Sequence, residues 1–284
     1  MTLSLKLKMG NEKITSFGGS ILLADYIKKL GLEERLDDSL PKAGNRGYKP
    51  SHKILSLISS IMLSGISFAC AYKSMSFMQA KDGRYVNIDR LRKDDTVKTI
   101  WGFNNIPYST KIGEWFLKNG KSSGDFATGK TKEVIDNISL DLAINALKEK
   151  NIKEAIFDAD VSLIEANKKE SKKTYKGFRG MGSLLGFVNG YCLYSDFRNG
   201  NVHASVGLLD QLKYIHQKLS DNGIKMVYRS ASFTCIKGML FQSSSYLGAN
   251  GLWASVVVLA YNIMLSFKQK LNIKRLTART IRWF

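Results

Sequence analysis

Glu154-Ala-Ile-Phe157-Asp158-Ala159-Asp160-Val-Ser162-Leu163 is the stretch on which the fold turns. Ala155-Ile-Phe157 reads as a strand, rich in residues that suit a pleated surface. It runs directly into two aspartates spaced i and i+2. Downstream, Leu184 to Val188 predicts a second strand and Tyr191 to Phe197 a third. Asn189-Gly190 between them is the signature of a two-residue hairpin turn. Val206 to Leu219 then changes period: Leu208, Leu209, Leu212, Ile215 and Leu219 fall on one helical face. Asn222-Gly223 ends that helix, and Ile224 to Tyr228 predicts a fourth strand leading into Arg229-Ser-Ala231-Ser-Phe233. The order is β-β-β-α-β. Three strands joined by short connections form a meander, and a fourth reached through a helical crossover pairs in parallel.

Outward from this stretch, residues 1–150 read as helical. Ile21, Leu22, Tyr26, Ile27 and Leu30 recur at helical spacing, with Gly31 as a cap. Ile54 to Ile66 reads as a core helix. Leu140, Leu142, Ala143 and Leu147 mark another, with Ser139 as an N-cap. Between them, residues 95–119 predict two short helices around Asn104-Asn105-Ile106-Pro107. Val97, Ile100 and Trp101 face one way on the first. Ile112, Trp115 and Phe116 do so on the second, which Ser109 or Thr110 can cap. A DNA-reading helix-turn-helix and an ordinary helical hairpin both have this size and rhythm.

The charge balance narrows the partners. Lys+Arg total 43 against 24 Asp+Glu, a formal +19 in 284 residues. A polyanion relieves such self-repulsion, and nucleic acid is the commonest one. A merely basic soluble chain is the alternative. Cys70, Cys192 and Cys235 lack metal or disulfide spacing. The first residues lack the apolar run of a signal peptide. Ile54–Cys70 and Leu252–Phe267 are uncharged, but each falls short of the ~20 residues that cross a bilayer, so both read as buried helices. The expected compartment is therefore the cytoplasm, with no membrane partner.

Paired acids at a strand end suit phosphodiester chemistry, in which carboxylates hold divalent cations that activate a nucleophile. A turn cap and a solvated side chain account for Asp-x-Asp equally simply. Phe157-Asp-Ala-Asp-Val-Ser-Leu-Ile-Glu-Ala166 resembles the first-carboxylate motif of the DDE transposases encoded by bacterial insertion sequences. Lys172 to Gly180 resembles the basic loop after it. Leu184-Leu-Gly-Phe187 and Phe197-Arg-Asn-Gly-Asn-Val-His203 are similar to the next strands and their turn. Gly248-Ala-Asn-Gly-Leu-Trp253, Leu259-Ala-Tyr-Asn262 and Thr280-Ile-Arg-Trp283 resemble the family's C-terminal segments.

The resemblance implies an α/β chain: a helical DNA-binding region at 1–150, then an RNase H-like mixed-sheet core at 151–284. It implies Asp160 as the first catalytic acid and metal ligand, with Asp158 as its stand-in, and Mg²⁺ or Mn²⁺ as cofactor. The second acid is expected after the fourth strand, where this chain has Ala231. The third is expected on a later helix, yet no Asp or Glu occurs from residue 231 to 284. The core thus reads as incomplete, with an internal deletion near residues 235–240. The expected partner is double-stranded DNA at transposon terminal inverted repeats, bound by the chain alone or as a homodimer. The expected contacts are Lys168, Lys169, Lys172, Lys173, Tyr175, Lys176, Arg179, Arg198 and Arg229.

Overall fold

The computed structural model describes residues 15, 17–42, 47–63, 86–230 and 244–271. The side chains of Val86, Asn87, Arg90, Asp160, Arg229 and Ser230 lie outside that description. So do Ala231, the expected junction at 235–240, Thr280-Ile-Arg-Trp283, Cys70 and Cys235.

The architecture is mixed α/β. Helices α1 (Ser20–Lys29), α2 (Leu32–Ser39), α3 (Pro50–Leu63), α4 (Val86–Leu91), α5 (Asp95–Trp101) and α6 (Ser109–Asn119) come first. A hairpin follows, β1 (Lys121–Ser123) and β2 (Phe126–Thr128), and then α7 (Lys130–Glu149). The remaining elements are β3 (Glu154–Glu165), β4 (Lys172–Lys173), β5 (Arg179–Val188), β6 (Tyr191–Asn199), α8 (Leu208–Ser220), β7 (Lys225–Ser230) and α9 (Leu247–Leu271).

The sheet runs β1-β2-β6-β5-β3-β7, with β4 paired to β5. β3, β5 and β6 form the expected antiparallel meander, and β7 lies parallel to β3. Asn189 and Gly190 have φ of 47° and 87°, the pair of positive values that a right-twisted two-residue turn demands. β3 and β5 run well past their apolar cores, because paired backbone continues through polar residues once neighbours supply hydrogen bonds.

Several expectations need correction. Residues 121–128 are not helical: β1 and β2 extend the sheet through Phe126 opposite Arg198. Strands of three residues carry too little periodicity to be seen in sequence. Ser139 is not a cap. It sits inside α7, buried, and its hydroxyl accepts from Asn262 Nδ2 at 2.9 Å. Neither Ser109 nor Thr110 caps α6 with its side chain. Instead Asp89 on α4 accepts from the Ser109 backbone N–H at 3.2 Å and from its hydroxyl at 2.5 Å. Leu209 is 62% exposed and Ile21 also faces solvent, so each helical face is narrower than its leucine count implied.

Helix α9 organises the packing. It has 25 residues, not 16, so the length argument against a membrane span fails. Burial decides instead. Among the described residues it is the one helix long and apolar enough to cross a bilayer, and 94% of its apolar window is buried inside the protein. It packs against α3, α6, α7 and the β1, β2 and β6 strands.

Two devices lock it there. A Cβ on Gly251 would lie 2.1 Å from Ala127 Cβ, and one on Gly248 2.5 Å from the Lys121 backbone. Only glycine lets the hairpin approach so closely. Asn262, fully buried, accepts from Cys192 N–H at 3.0 Å and donates to Cys192 O at 2.7 Å. It thereby satisfies strand backbone at a register shift between β5 and β6. One apolar cluster joins α1–α6, α7, α9 and one face of the sheet across residue 150. A second fills the opposite face under α7 and α8.

Candidate nucleic-acid interface and acidic strand end

Asp158 lies on β3 opposite Phe187 of β5 and opposite Arg229 of β7. Directly opposed residues share a face, and Phe187 meets Tyr261 of α9 edge-on at 6.4 Å. Asp158 therefore faces the α9 side, where it is 6% exposed. Phe157 turns to the other side, into the α8 core. Asp160 follows two positions later, opposite Leu185. The described β3–β7 register runs to Ala159 opposite Ser230, the last described residue of β7. Beside Asp158 the sheet is uncovered: Ile156 and its partner Val227 are 41% and 38% exposed.

The donors present do not make up a two-cation centre. Among the described residues no group of three or more His, Cys, Asp or Glu side chains converges on one point. The segment after β7 carries no carboxylate in its sequence. Two acids from a single strand leave a hard cation short of the oxygen ligands that bridge a pair of metals. Among the described residues, therefore, no donor set fits the Mg²⁺ or Mn²⁺ pair that the resemblance implies.

The basic residues divide sharply. Lys168, Lys169, Lys172, Lys173, Tyr175, Lys176 and Arg179 occupy one hairpin built from β4, its turn and the start of β5. Lys169, Lys172, Lys173, Lys176 and Arg179 are exposed there, Lys168 is half-buried, and Tyr175 is 79% exposed. The turn is closed by hydrogen bonds from Thr174 N–H to Phe178 O (2.8 Å) and from Gly177 N–H to Thr174 O (3.0 Å). Arg179 donates to Ser171 O. Glu170 turns inward, accepting from Leu247 N–H at 2.6 Å at the start of α9, where a carboxylate is favoured by the exposed backbone donors.

Arg198 does not belong with this surface. It is 1% exposed. Its guanidinium pairs with Asp196, donates to Val206 O at 2.8 Å and lies 5.2 Å from the centre of the Phe126 ring. A group engaged in this way presents nothing to a phosphate. Burial pushes the Asp196 carboxyl above its ordinary range, with Arg198 opposing the shift. Arg229 holds its backbone position opposite Asp158.

Sequence reading missed Asp125, in the β1–β2 turn, which ties the two basic regions together. Its carboxylate accepts from Lys172 (2.6 Å), Asn199 Nδ2 (2.9 Å) and Asn201 Nδ2 (3.1 Å). The Lys172 ammonium, helped by the two amides and only partly opposed by burial, holds it below the usual carboxylate range. The Asn-Gly-Asn turn at 199–201 is thus a clasp around a carboxylate.

A cleft of about 380 Å³ opens on the α7–α8 side, lined by Lys132, Asp136, Tyr194, Asp196 and Tyr214 among others. Three of its charged groups already have partners: Lys132 Nζ lies 2.6 Å from Asp136, and Asp196 pairs with Arg198. Burial first, then the charge of Asp196, pushes Tyr194 up to about 12. Asp158 does not line this cleft.

Nothing matches this chain among protein-family models, curated proteins or solved structures.

Proposed function

We propose that this chain is a DNA-binding protein of transposase type whose cleavage and strand-transfer chemistry is disabled. The observation that carries the reading is the parallel β3–β7 pair beside the antiparallel meander. β3, the Asp-x-Asp strand, pairs antiparallel with β5 and parallel with β7, and this reading takes that order as an RNase H-like core. The parallel β3–β7 register includes Asp158 opposite Arg229, two residues before Asp160 and Ala231 in sequence. These are the two positions where the family resemblance places its first and second acids. Asp160 and Asp158 are the surviving donors for Mg²⁺ or Mn²⁺ in this reading. A methyl group at 231 cannot ligate a cation, so negative charge developing on the phosphate oxygens would go unstabilised there.

DNA binding itself rests on the +19 charge and on the exposed cations of the β4–β5 hairpin. The partner in this reading is double-stranded DNA carrying terminal inverted repeats, bound in the cytoplasm, with a homodimer as the assembly that would bring two ends together. The α5–α6 pair is a weaker candidate for reading bases. Its apolar faces, Val97 with Trp101 and Ile112 with Phe116, are buried in the core. Its outer face mixes Lys111 and Lys118 with Glu114 and an exposed Leu117.

Two measurements test the proposal on the full chain. Fluorescence anisotropy against duplex DNA should show affinity falling steeply between 50 and 200 mM salt (concentrations chosen on the order of the range where counterion release dominates). Salt-insensitive or undetectable binding overturns the DNA reading. A strand-transfer assay with end-containing DNA and Mg²⁺ should give no joined product, and robust turnover overturns the disabled-site reading.

A further inference from the structure

The hairpin that carries the exposed cations also belongs to a surface with two exposed aromatic rings, each with a lysine beside it. Tyr175, at the apex, is 79% exposed and has Lys176 Nζ 5.7 Å from its ring centre. Tyr246, just before α9, is 46% exposed and has Lys169 Nζ 5.9 Å from its ring centre. The two sites are continuous, because Glu170 N–H donates to Ser245 O at 3.3 Å and docks the hairpin root on that segment.

The apex is held, not loose. Thr174 and Ser171 are buried on either side of exposed Lys172 and Lys173. Thr174 packs where Gly200 has no side chain; a Cβ there would lie 2.5 Å from Thr174 Cγ2. Lys172 is fastened to Asp125. Among the described residues no carboxylate pairs with Lys173 or Lys176. The chain therefore orders a turn firmly and leaves the Tyr175 ring in water, flanked by cations that no carboxylate among the described residues neutralises.

We propose that this surface is a track for an unpaired nucleic-acid strand, with Tyr175 and Tyr246 as stacking platforms and Lys169, Lys173 and Lys176 on the phosphates. The inference rests on the nucleic-acid reading above and names the form of strand that this hairpin takes. A tyrosine ring stacks on the flat face of a base, and duplex grooves offer only base edges. A positively charged surface with aromatics at intervals is the arrangement that holds single strands, whatever their sequence. The adjacent ammoniums reach the backbone that flanks a stacked base.

The test uses full-length protein and two fluorescein-labelled probes of equal length, a single-stranded oligothymidine and a blunt duplex, each at low and moderate salt. Tyr175→Ala and Tyr246→Ala should each weaken single-strand binding by about ten-fold, a clearly larger loss than either causes on the duplex. Tyr175→Phe and Tyr246→Phe, which keep the ring, should retain it. A 2-aminopurine base in the single strand should be quenched by the wild type and less so by the alanine variants. Both rings are surface groups, so thermal melting of the variants should match the wild type. Equal loss on both probes, or no loss on either, overturns the stacking track while salt-dependent duplex binding keeps the broader reading alive. If the wild type binds neither probe at low salt, both fall together.

Discussion

Two basic regions meet at Asp125 and behave in opposite ways. At the end of β6, Arg198 is swallowed by the fold, matched to Asp196 and bonded to carbonyl oxygens. Across Asp125, the β4–β5 hairpin holds Lys173, Lys176 and Arg179 out in solvent. Both regions read as positive in sequence, yet only one is available to a polyanion. What separates them is the local supply of acceptors. β6 brings a carboxylate two residues from its arginine on the same face, and the helix-initiating loop adds carbonyls. Among the described residues the hairpin has one outside carboxylate, Asp125, and it is taken by Lys172.

The strongest test of this contrast is Arg198→Ala. Removing one partner of a buried ion pair leaves the other charge stranded, at a cost of about 3–5 kcal/mol. Chemical denaturation should register a loss of that size. The Asp196 carboxyl already titrates high in the folded state because of burial. A group with a raised folded value favours the protonated form, so the variant's deficit should grow as pH rises through that value and shrink in acid. DNA binding at a temperature where the variant stays folded should keep the wild-type salt slope. A reduced slope would return Arg198 to the DNA-contact surface.

A smaller effect is expected at the joint. Asp125→Asn keeps the shape and removes the charge that receives Lys172, Asn199 and Asn201, costing about 1–2 kcal/mol. Asp125 has a folded value below the ordinary one. Its contribution is fully present above the unfolded carboxylate range and is lost as pH falls through the depressed value. Stability-versus-pH curves of wild type and variant should therefore converge in acid. Curves that stay parallel down to the acid limb would show that the clasp gains nothing from its charge.

The contrast also marks how far sequence could reach. The meander, its Asn189-Gly190 turn and the parallel fourth strand were legible because alternating apolar residues and turn residues act locally. Asp158 and Asp160 were legible as neighbours for the same reason: a strand fixes their spacing. Asp125 was invisible, since its partners lie 47, 74 and 76 positions away and only tertiary closure joins them. Arg198 misled because strand alternation puts Asp196 beside it without saying whether other elements cover that face. The segments at 248–253 and 259–262 resemble in sequence the helix near the transposase family's C-terminus. In the fold they are contacts: glycines that admit a hairpin, and an asparagine that completes a strand. Tyr246 was passed over because its cation comes from Lys169, far along the chain.

The gentlest perturbation completes the comparison. Lys173→Ala and Lys176→Ala remove exposed charges with no carboxylate partner among the described residues, so each should change stability by less than about 0.5 kcal/mol. Their effect should appear in binding alone. Each cation that displaces a condensed counterion contributes about 0.9 to the slope of log affinity against log salt on duplex DNA, and about 0.7 on single strands. The double variant should lower the slope by about twice that, while its melting temperature stays where the wild type's is. The opposite pattern, a lost fold with an unchanged slope, would place these lysines with Arg198, as charges the protein keeps for itself. Because stability and salt slope are read independently, the pair of numbers assigns each basic residue to one region or the other without reference to any partner's sequence.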